Sequence, residues 1–134
     1  MSGPKTSADS MLEQALAAIP GLAGVDIVYE NTPYKPHGVP YIVINNMHTG
    51  SVAGIGGAPT RYAGIFQVSV YSLDNKGPGP GSELVDVVLS GFKPGTKFSN
   101  TNSVLYIQQS NPENKVEIPA WLQYPVSVNW FMYQ

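Results

Sequence analysis

Two segments with a period of two residues constrain the fold more than any other feature of the sequence. In GIFQVSVYSL, the apolar residues Phe66, Val68 and Val70 fall on one side of an extended chain, while the other side is mixed. The segment YPVSVNWFMYQ repeats the pattern, with one apolar face formed by Val126, Val128, Trp130 and Met132. Both segments therefore predict β-strands that bury one face.

Four further segments predict strands from their β-branched and aromatic residues. They are VDIVYEN (25–31), VPYIVINN (39–46), SVLYIQQ (103–109) and KVEIP (115–119), and the last two flank a predicted turn, SNPEN. Between residues 46 and 61, MHTGSVAGIGGAPT is rich in glycine and low in charge. This segment predicts a long loop or a loose hairpin.

Two segments carry the apolar stripe of an amphipathic helix. In SADSMLEQALAAIPGLAG, Ser7 and Ser10 are the N-cap candidates, and Pro20 is expected to end the helix. SELVDVVLSGF predicts a second helix, capped by Ser82 and preceded by the connection DNKGPGPG.

Two helices and five to seven strands in mixed order predict an α+β fold. The simplest packing is a mixed, mainly antiparallel sheet with the two helices on one face, which leaves the other face half polar. The length of 134 residues predicts a single domain over residues 1–134.

The chain has few charged residues, at 12% against a usual ~25% for globular domains. Charged residues are depleted at the centres of protein interfaces, so the shortfall suggests that other subunits cover part of this surface. A surface hydrated by neutral polar side chains is the alternative. The net charge of −2, with no cluster of Lys or Arg, argues against a protein that grips phosphate backbones.

The composition also excludes several kinds of chemistry. The absence of cysteine removes disulfides, thiolate zinc sites and thiol nucleophiles. No apolar run approaches the ~20 residues that span a bilayer, and MSGPKTSADS lacks the apolar core of a signal peptide. We therefore expect a soluble protein made in a cytoplasm, without a membrane partner.

No residue pattern points to catalysis, a metal or a cofactor. His37 and His48 lack a clear third ligand, and solvated loop histidines are the simpler interpretation. The loops GSVAGIGG and GPGPG lack the arrangement of a phosphate-binding loop. Glu83 and Asp86 lie three residues apart on the predicted second helix, where solvation accounts for them. We expect no enzyme activity and no cofactor.

The order of these segments resembles the tail terminator (tail completion) proteins of long-tailed bacteriophages. The resemblance rests on a short first helix and strand, the strand RYAGIFQVSVY, the connection GPGPG, a helix ending in phenylalanine, and the final strand YPVSVNWFMY. The longer segment YENTPYKPHGVPY stands where the family opens its first strand with F-x-P-G. The resemblance covers nearly the whole chain and rests on packing patterns.

The resemblance implies a structural virion protein at the head-proximal end of the tail. Six copies would form a ring that caps the tail tube, stops its polymerisation and offers a surface to the head. The implied partners are other copies of the chain, the major tail tube protein and a head–tail connector (neck) protein, while DNA only passes through the lumen. The segments 45–60 and 74–81 would lie at the rim, and assembly would take place in the host cytoplasm.

Six residues are the candidates for a subunit or tube interface: Arg61, Asp74, Lys76, Trp130, Phe131 and Tyr133. For Arg61 we expect a salt bridge between subunits or at the rim, with a local pair to Glu83 or Asp86 as the alternative. Two other functions stay open from the sequence. One is a head-side neck or connector protein; the other is a ligand-binding or enzymatic domain with a pocket of Tyr29, Tyr34, Tyr41 and Tyr106.

Overall fold

The chain folds into a twisted sheet and two α-helices. The computed structural model describes residues 3–29, 33–36, 38–73, 79–118 and 121–134. In chain order, the elements of these residues are α1 (Pro4–Ala17), a short 3-10 helix (Pro20–Leu22), β1 (Asp26–Tyr29), β2 (Tyr41–Val52), β3 (Arg61–Leu73), α2 (Gly79–Gly91), β4 (Lys97–Ser99), β5 (Val104–Pro112), β6 (Val116–Ile118) and β7 (Trp121–Tyr133).

The sheet is mixed and mainly antiparallel, as predicted. Its order is β1-β2-β3-β7-β5-β4, with β6 paired to the start of β7. Only β1 and β2 run parallel among the described strands, and all other pairs are antiparallel. The two strands with the period of two, β3 and β7, are neighbours at the centre. They pair over their full length, from Arg61 opposite Tyr133 to Leu73 opposite Trp121.

Because directly paired residues point to the same side, this register defines two faces of the sheet. One face buries Phe66 opposite Val128 and Val68 opposite Val126, and both helices pack on it. We call this the helix face. The opposite side, which we call the open face, carries Gln67 opposite Ser127 and further polar and aromatic residues. No described helix lies on the open face.

Each helix covers a different part of the helix face. Helix α2 packs on β3, β7 and β5 and buries Val85 and Val88. Helix α1 buries Leu12 and Leu16 and is tied to β2 by Asp9, whose Oδ1 accepts a hydrogen bond from Asn46 Nδ2 at 2.6 Å. The α+β class and the packing of two helices on one face are therefore confirmed.

Both predicted helix starts were wrong. Helix α1 begins at Pro4 after the N-cap residue Gly3, and the side chain of Ser7 is buried instead of capping the helix. Proline suits the first helical position because its missing N–H needs no partner there. Helix α2 begins at Gly79, so Ser82 lies within the helix. The sequence did not predict this start, because the glycine and proline residues in the first turn have low helix propensity.

Several strands are longer than predicted. The segment after residue 46, predicted as a long loop or a loose hairpin, forms a hairpin whose first part continues β2 to Val52, because its backbone pairs with β3. The predicted turn SNPEN is wrong at its start, since β5 continues to Pro112. Strand β7 begins at Trp121, and the short strand β4 has no clear signal in the sequence. Residues 30 and 31 of the predicted first strand lie outside the described residues.

Gly64 of β3 creates the space that the largest core side chain needs. A Cβ atom at this position would lie 2.4 Å from the Met47 carbonyl oxygen and 2.5 Å from the Trp130 ring. Trp130 faces Gly64 across the β3–β7 pair and is 1% exposed. The indole ring therefore lies over a strand position that only glycine can occupy without a shift.

We expect Gly64→Ala to lower the free energy of unfolding by about 1–3 kcal/mol, because the added methyl group overpacks a filled core. Urea denaturation followed by tryptophan fluorescence measures the change. Gly50→Ala is the matched control, since a Cβ at Gly50 in the same sheet meets nothing within 4 Å. Equal effects of the two substitutions would contradict this account of Gly64.

Candidate interaction surface

The open face is a surface of the sheet that the described helices leave uncovered. Along β3 and β7 it presents alternate residues, among them Ile65, Gln67, Gln123 and Asn129, all of intermediate exposure. The middle of this face is mixed in polarity, and there the Ser127 hydroxyl donates a hydrogen bond to the Glu113 carboxylate at 2.8 Å. Aromatic residues collect at its two ends, where the strands begin and end.

One end carries three aromatic rings and two cations. The guanidinium carbon of Arg61 lies 4.8 Å from the centre of the Phe131 ring, and the Tyr106 ring stacks on Phe131 at 5.2 Å. Tyr133 contacts both rings edge-on and is 39% exposed. Lys97 pairs with Tyr106 across β4 and β5, so its side chain is on the same face. We call these five residues the cationic patch.

Neither cation of the patch has an acidic partner within 4.0 Å in the described part of the chain. Arg61 is held instead over the Phe131 ring, a contact worth about 0.5–1 kcal/mol at an exposed site. The alternative of a local pair with Glu83 or Asp86 is wrong, because those residues lie on α2, which packs on the helix face. Arg61 therefore remains available to an acidic group from another molecule.

The opposite end of the open face carries a second aromatic cluster. Tyr41 stacks on Tyr71 at 4.8 Å and meets Trp121 edge-on at 5.1 Å, and Tyr34 lies 4.9 Å from Tyr41. The Tyr34 hydroxyl donates a hydrogen bond to Asp26 at 2.8 Å. Desolvation and this bond raise the pKa of Tyr34 to about 12, so the hydroxyl stays protonated as a donor.

Trp130 belongs to the core and not to the surface. Its indole N–H donates to Asn46 Oδ1 at 2.9 Å, and His48 meets its ring edge-on at 5.1 Å. With 1% exposure, its side chain cannot reach a partner from the folded chain. The sequence pattern placed Trp130 on the apolar face of β7, and the structure shows that this face is the covered one.

Three of the other predicted interface residues lie together, and two lie outside the described residues. Phe131 and Tyr133 lie on the open face beside Arg61, so the structure brings these three together. Asp74 and Lys76 lie outside the described residues. Sequence reasoning did not name Lys97 and named Tyr106 only for the alternative pocket, since both join Arg61 only through the pairing of β4, β5 and β7.

A hairpin extends from the sheet at the same end as the cationic patch. Residues 49–59, which we call the arm, comprise the end of β2 and the loop that follows, and all are exposed. The arm contains no Asp, Glu, Lys or Arg, and Val52 and Ile55 are 63% and 91% exposed. The arm therefore offers two openly exposed apolar side chains to another chain.

The tyrosine pocket of the ligand-binding alternative does not form in the described residues. The four tyrosines of the predicted pocket do not converge: Tyr29 reaches Glu13 on the helix side, while Tyr34 and Tyr106 lie at opposite ends of the open face. No group of three metal-ligating side chains occurs among the described residues. His48 lies in β2 and not in a loop, and His37 lies outside the described residues.

None of the helices in the described ranges is long and apolar enough to cross a membrane. This finding concerns α1, α2 and the short 3-10 helix.

Comparison with known proteins identifies the family. The family model described as "Phage tail terminator protein" matches residues 8–130, which is most of the chain. The protein belongs to the phage tail terminator family. It is therefore a structural component of a phage tail, as the resemblance in the sequence implied.

Two solved structures share the fold of this tail terminator. One, whose name states no function, has a TM-score of 0.70 and 16% identity, covering 97% of this chain and 92% of its own. The other is a chain from the virion of a native gene transfer agent particle, with a TM-score of 0.67, 15% identity and 93% coverage of both chains. No curated protein sequence matches significantly.

The histidine beside Trp130 predicts a dependence of stability on pH. Desolvation, and to a smaller extent Lys5, lower the pKa of His48 below its ordinary 6.5, although Asp9 opposes the shift. Below pH 6.5 the unfolded chain then binds more protons than the folded chain, so the free energy of unfolding falls as the pH drops through this value.

We expect His48→Gln to flatten this slope between pH 7.5 and about pH 5.5, within the range where an ordinary histidine titrates. Urea denaturation at several pH values measures it, with the wild-type chain at each pH as the control. An unchanged slope in the variant would show that His48 is not the group responsible.

Proposed function

We propose that this tail terminator forms a ring, of six subunits, at the head-proximal end of the tail tube. The ring stops polymerisation of the tube and offers its other side to the connector or neck protein of the head. DNA passes through the lumen without sequence-specific contacts. Family membership supports the tail location, and the open face supports assembly into a ring.

The single observation that carries the proposal is the open face with its cationic patch. A seven-stranded sheet that is covered on one side only must either be solvated on the other or be covered by a further chain. This open face carries aromatic rings at both ends and an arginine without an acidic partner among the described residues. With charged residues at 12% of the chain, cover by neighbouring subunits accounts for all three features.

The two clusters of the open face differ from each other, which favours a ring over a two-fold dimer. In a two-fold contact each patch meets its own copy, whereas in a head-to-tail contact two different patches meet and a closed rotation gives a ring. The patch with Arg61 would repel its own copy, because two cations would face two cations. A head-to-tail contact avoids this repulsion.

The arm provides the surface that would meet the tube. It is uncharged, exposes Val52 and Ile55, and projects from the sheet instead of covering it. Such a segment can change conformation on docking more easily than the sheet, since few buried contacts hold it. We assign the arm to the tube-facing rim and the sheet to the contacts within the ring.

The proposal is tested by assembling tails with and without this protein. Tails made in its absence should show uncontrolled lengths by negative-stain microscopy, and purified protein added during assembly should restore a uniform length. A tail-length distribution that does not respond to the protein would refute the termination function, whatever the oligomeric state.

The arm is tested separately by Ile55→Asp. We expect this variant to form rings as the wild type does but to lose most of its binding to tube ends, because a charge replaces the most exposed apolar side chain. Sedimentation with tube ends measures the binding and light scattering measures the ring. Ile55→Val, which keeps the apolar contact, is the control. Full binding by the Asp variant would exclude Ile55 from the contact with the tube.

A further inference from the structure

The outer side of α2 carries two acidic residues without a cationic partner in the described residues. Glu83 and Asp86 are exposed and stand three positions apart, so they share one side of the helix. Helix α2 contains no Lys or Arg, and neither carboxylate has a cation within 4.0 Å in the described ranges. This side of α2 therefore presents a compact negative charge on the helix layer.

Beside Asp86 a groove runs between α2 and the strands next to it. Its volume is about 300 Å³, and its apolar wall is formed by Val85, Leu89, Pro112 and Tyr124. Glu113 and Lys115 also line it, but Lys115 is paired with Glu117 at 3.8 Å. The groove thus has an apolar wall, and its other lining residues are polar or charged, with Asp86 and Glu113 acidic.

The cationic patch on the other layer has the complementary features. It has two cations, Arg61 and Lys97, where α2 has two carboxylates, and it has an exposed ring, Tyr133, where α2 has a groove. The two surfaces lie on opposite layers of the same subunit, so they cannot meet within one chain. They can meet only between two copies.

We propose that the cationic patch of one subunit docks on the acidic side of α2 of the next subunit. Arg61 and Lys97 pair with Glu83 and Asp86, and Tyr133 enters the groove. This inference rests on the proposed ring and identifies its contact: the sheet layer of each subunit meets the helix layer of its neighbour.

A second copy fits this surface better than an unrelated partner because the charges balance. Two cations meeting two carboxylates leave no charge at the contact without a counter-charge. The contact is also head-to-tail: each subunit presents its sheet layer to one neighbour and its helix layer to the other. That is the geometry that closes a ring.

The test uses charge reversal on each side of the contact. One variant carries Arg61→Glu with Lys97→Glu, and the other carries Glu83→Lys with Asp86→Lys. Each variant alone brings like charges together, so we expect ring formation, measured by light scattering or on tube ends, to need at least about tenfold more protein. The two variants mixed should form rings at wild-type concentration, because their reversed surfaces are complementary and alternate around the ring.

A matched control carries Lys35→Glu with Lys93→Glu, which changes the net charge equally at exposed positions outside the patch. This control should form rings normally, and circular dichroism should show that every variant is folded. Loss of rings in the control equal to that in the patch variant would mean that net charge alone acts, and would overturn the inference.

The outcomes separate this inference from the proposed function. If the wild type forms no ring, alone or on tubes, the proposed function fails. If the wild type forms rings and either reversal leaves them intact, or the mixture does not restore them, the ring stands and this contact is wrong. If reversal of Arg61 and Lys97 spares the ring but lowers binding to a labelled DNA duplex in fluorescence anisotropy, the patch serves DNA, and the inference is overturned.

Discussion

The pairing of β3 with β7 is the interaction on which the rest of the structure depends. Both strands are 13 residues long and pair from Arg61 and Tyr133 to Leu73 and Trp121 without a shift in register. A slip by one residue would turn every apolar side chain of a strand to the opposite face. This register therefore decides which residues form the core and which form the open face. Gly64 and Trp130 reinforce it, since the indole fits over the strand at one position only.

The sequence predicted the elements that have a strong period and missed those that tertiary pairing creates. The alternation in β3 and β7 and the stripe of α1 were readable because burial follows residue spacing there. The sequence did not predict the extension of β2 to Val52, because Gly50 and Ser51 disfavour strands and only the neighbouring strand holds them extended. It did not predict the three-residue strand β4 either, because so short a segment has no clear pattern. Helix starts at Gly3–Pro4 and Gly79 were missed for a similar reason, since local propensity there favours a turn.

The same division holds for the candidate surface. Arg61, Phe131 and Tyr133 could be named from the sequence because they lie at the ends of two strongly patterned strands. Their grouping with Lys97 and Tyr106 depends on the order of strands in the sheet, which the sequence does not display. Trp130 was placed on the correct strand face, yet only the structure shows that both helices cover that face. Which residues meet on the surface thus depends on the order of the strands as much as on the residues that the chain contains.

The unequal lengths of β1 and β2 affect how the isolated subunit behaves. Strand β1 pairs only with residues Tyr41–Ile44, so in the described structure β2 beyond Ile44 offers its outer backbone N–H and C=O groups to solvent. This stretch has neither proline nor lysine, two residues with which natural proteins protect such strands, although its pairing with β3 shifts register between His48 and Gly50. Concentrated, unassembled subunits are therefore liable to associate strand to strand along this edge.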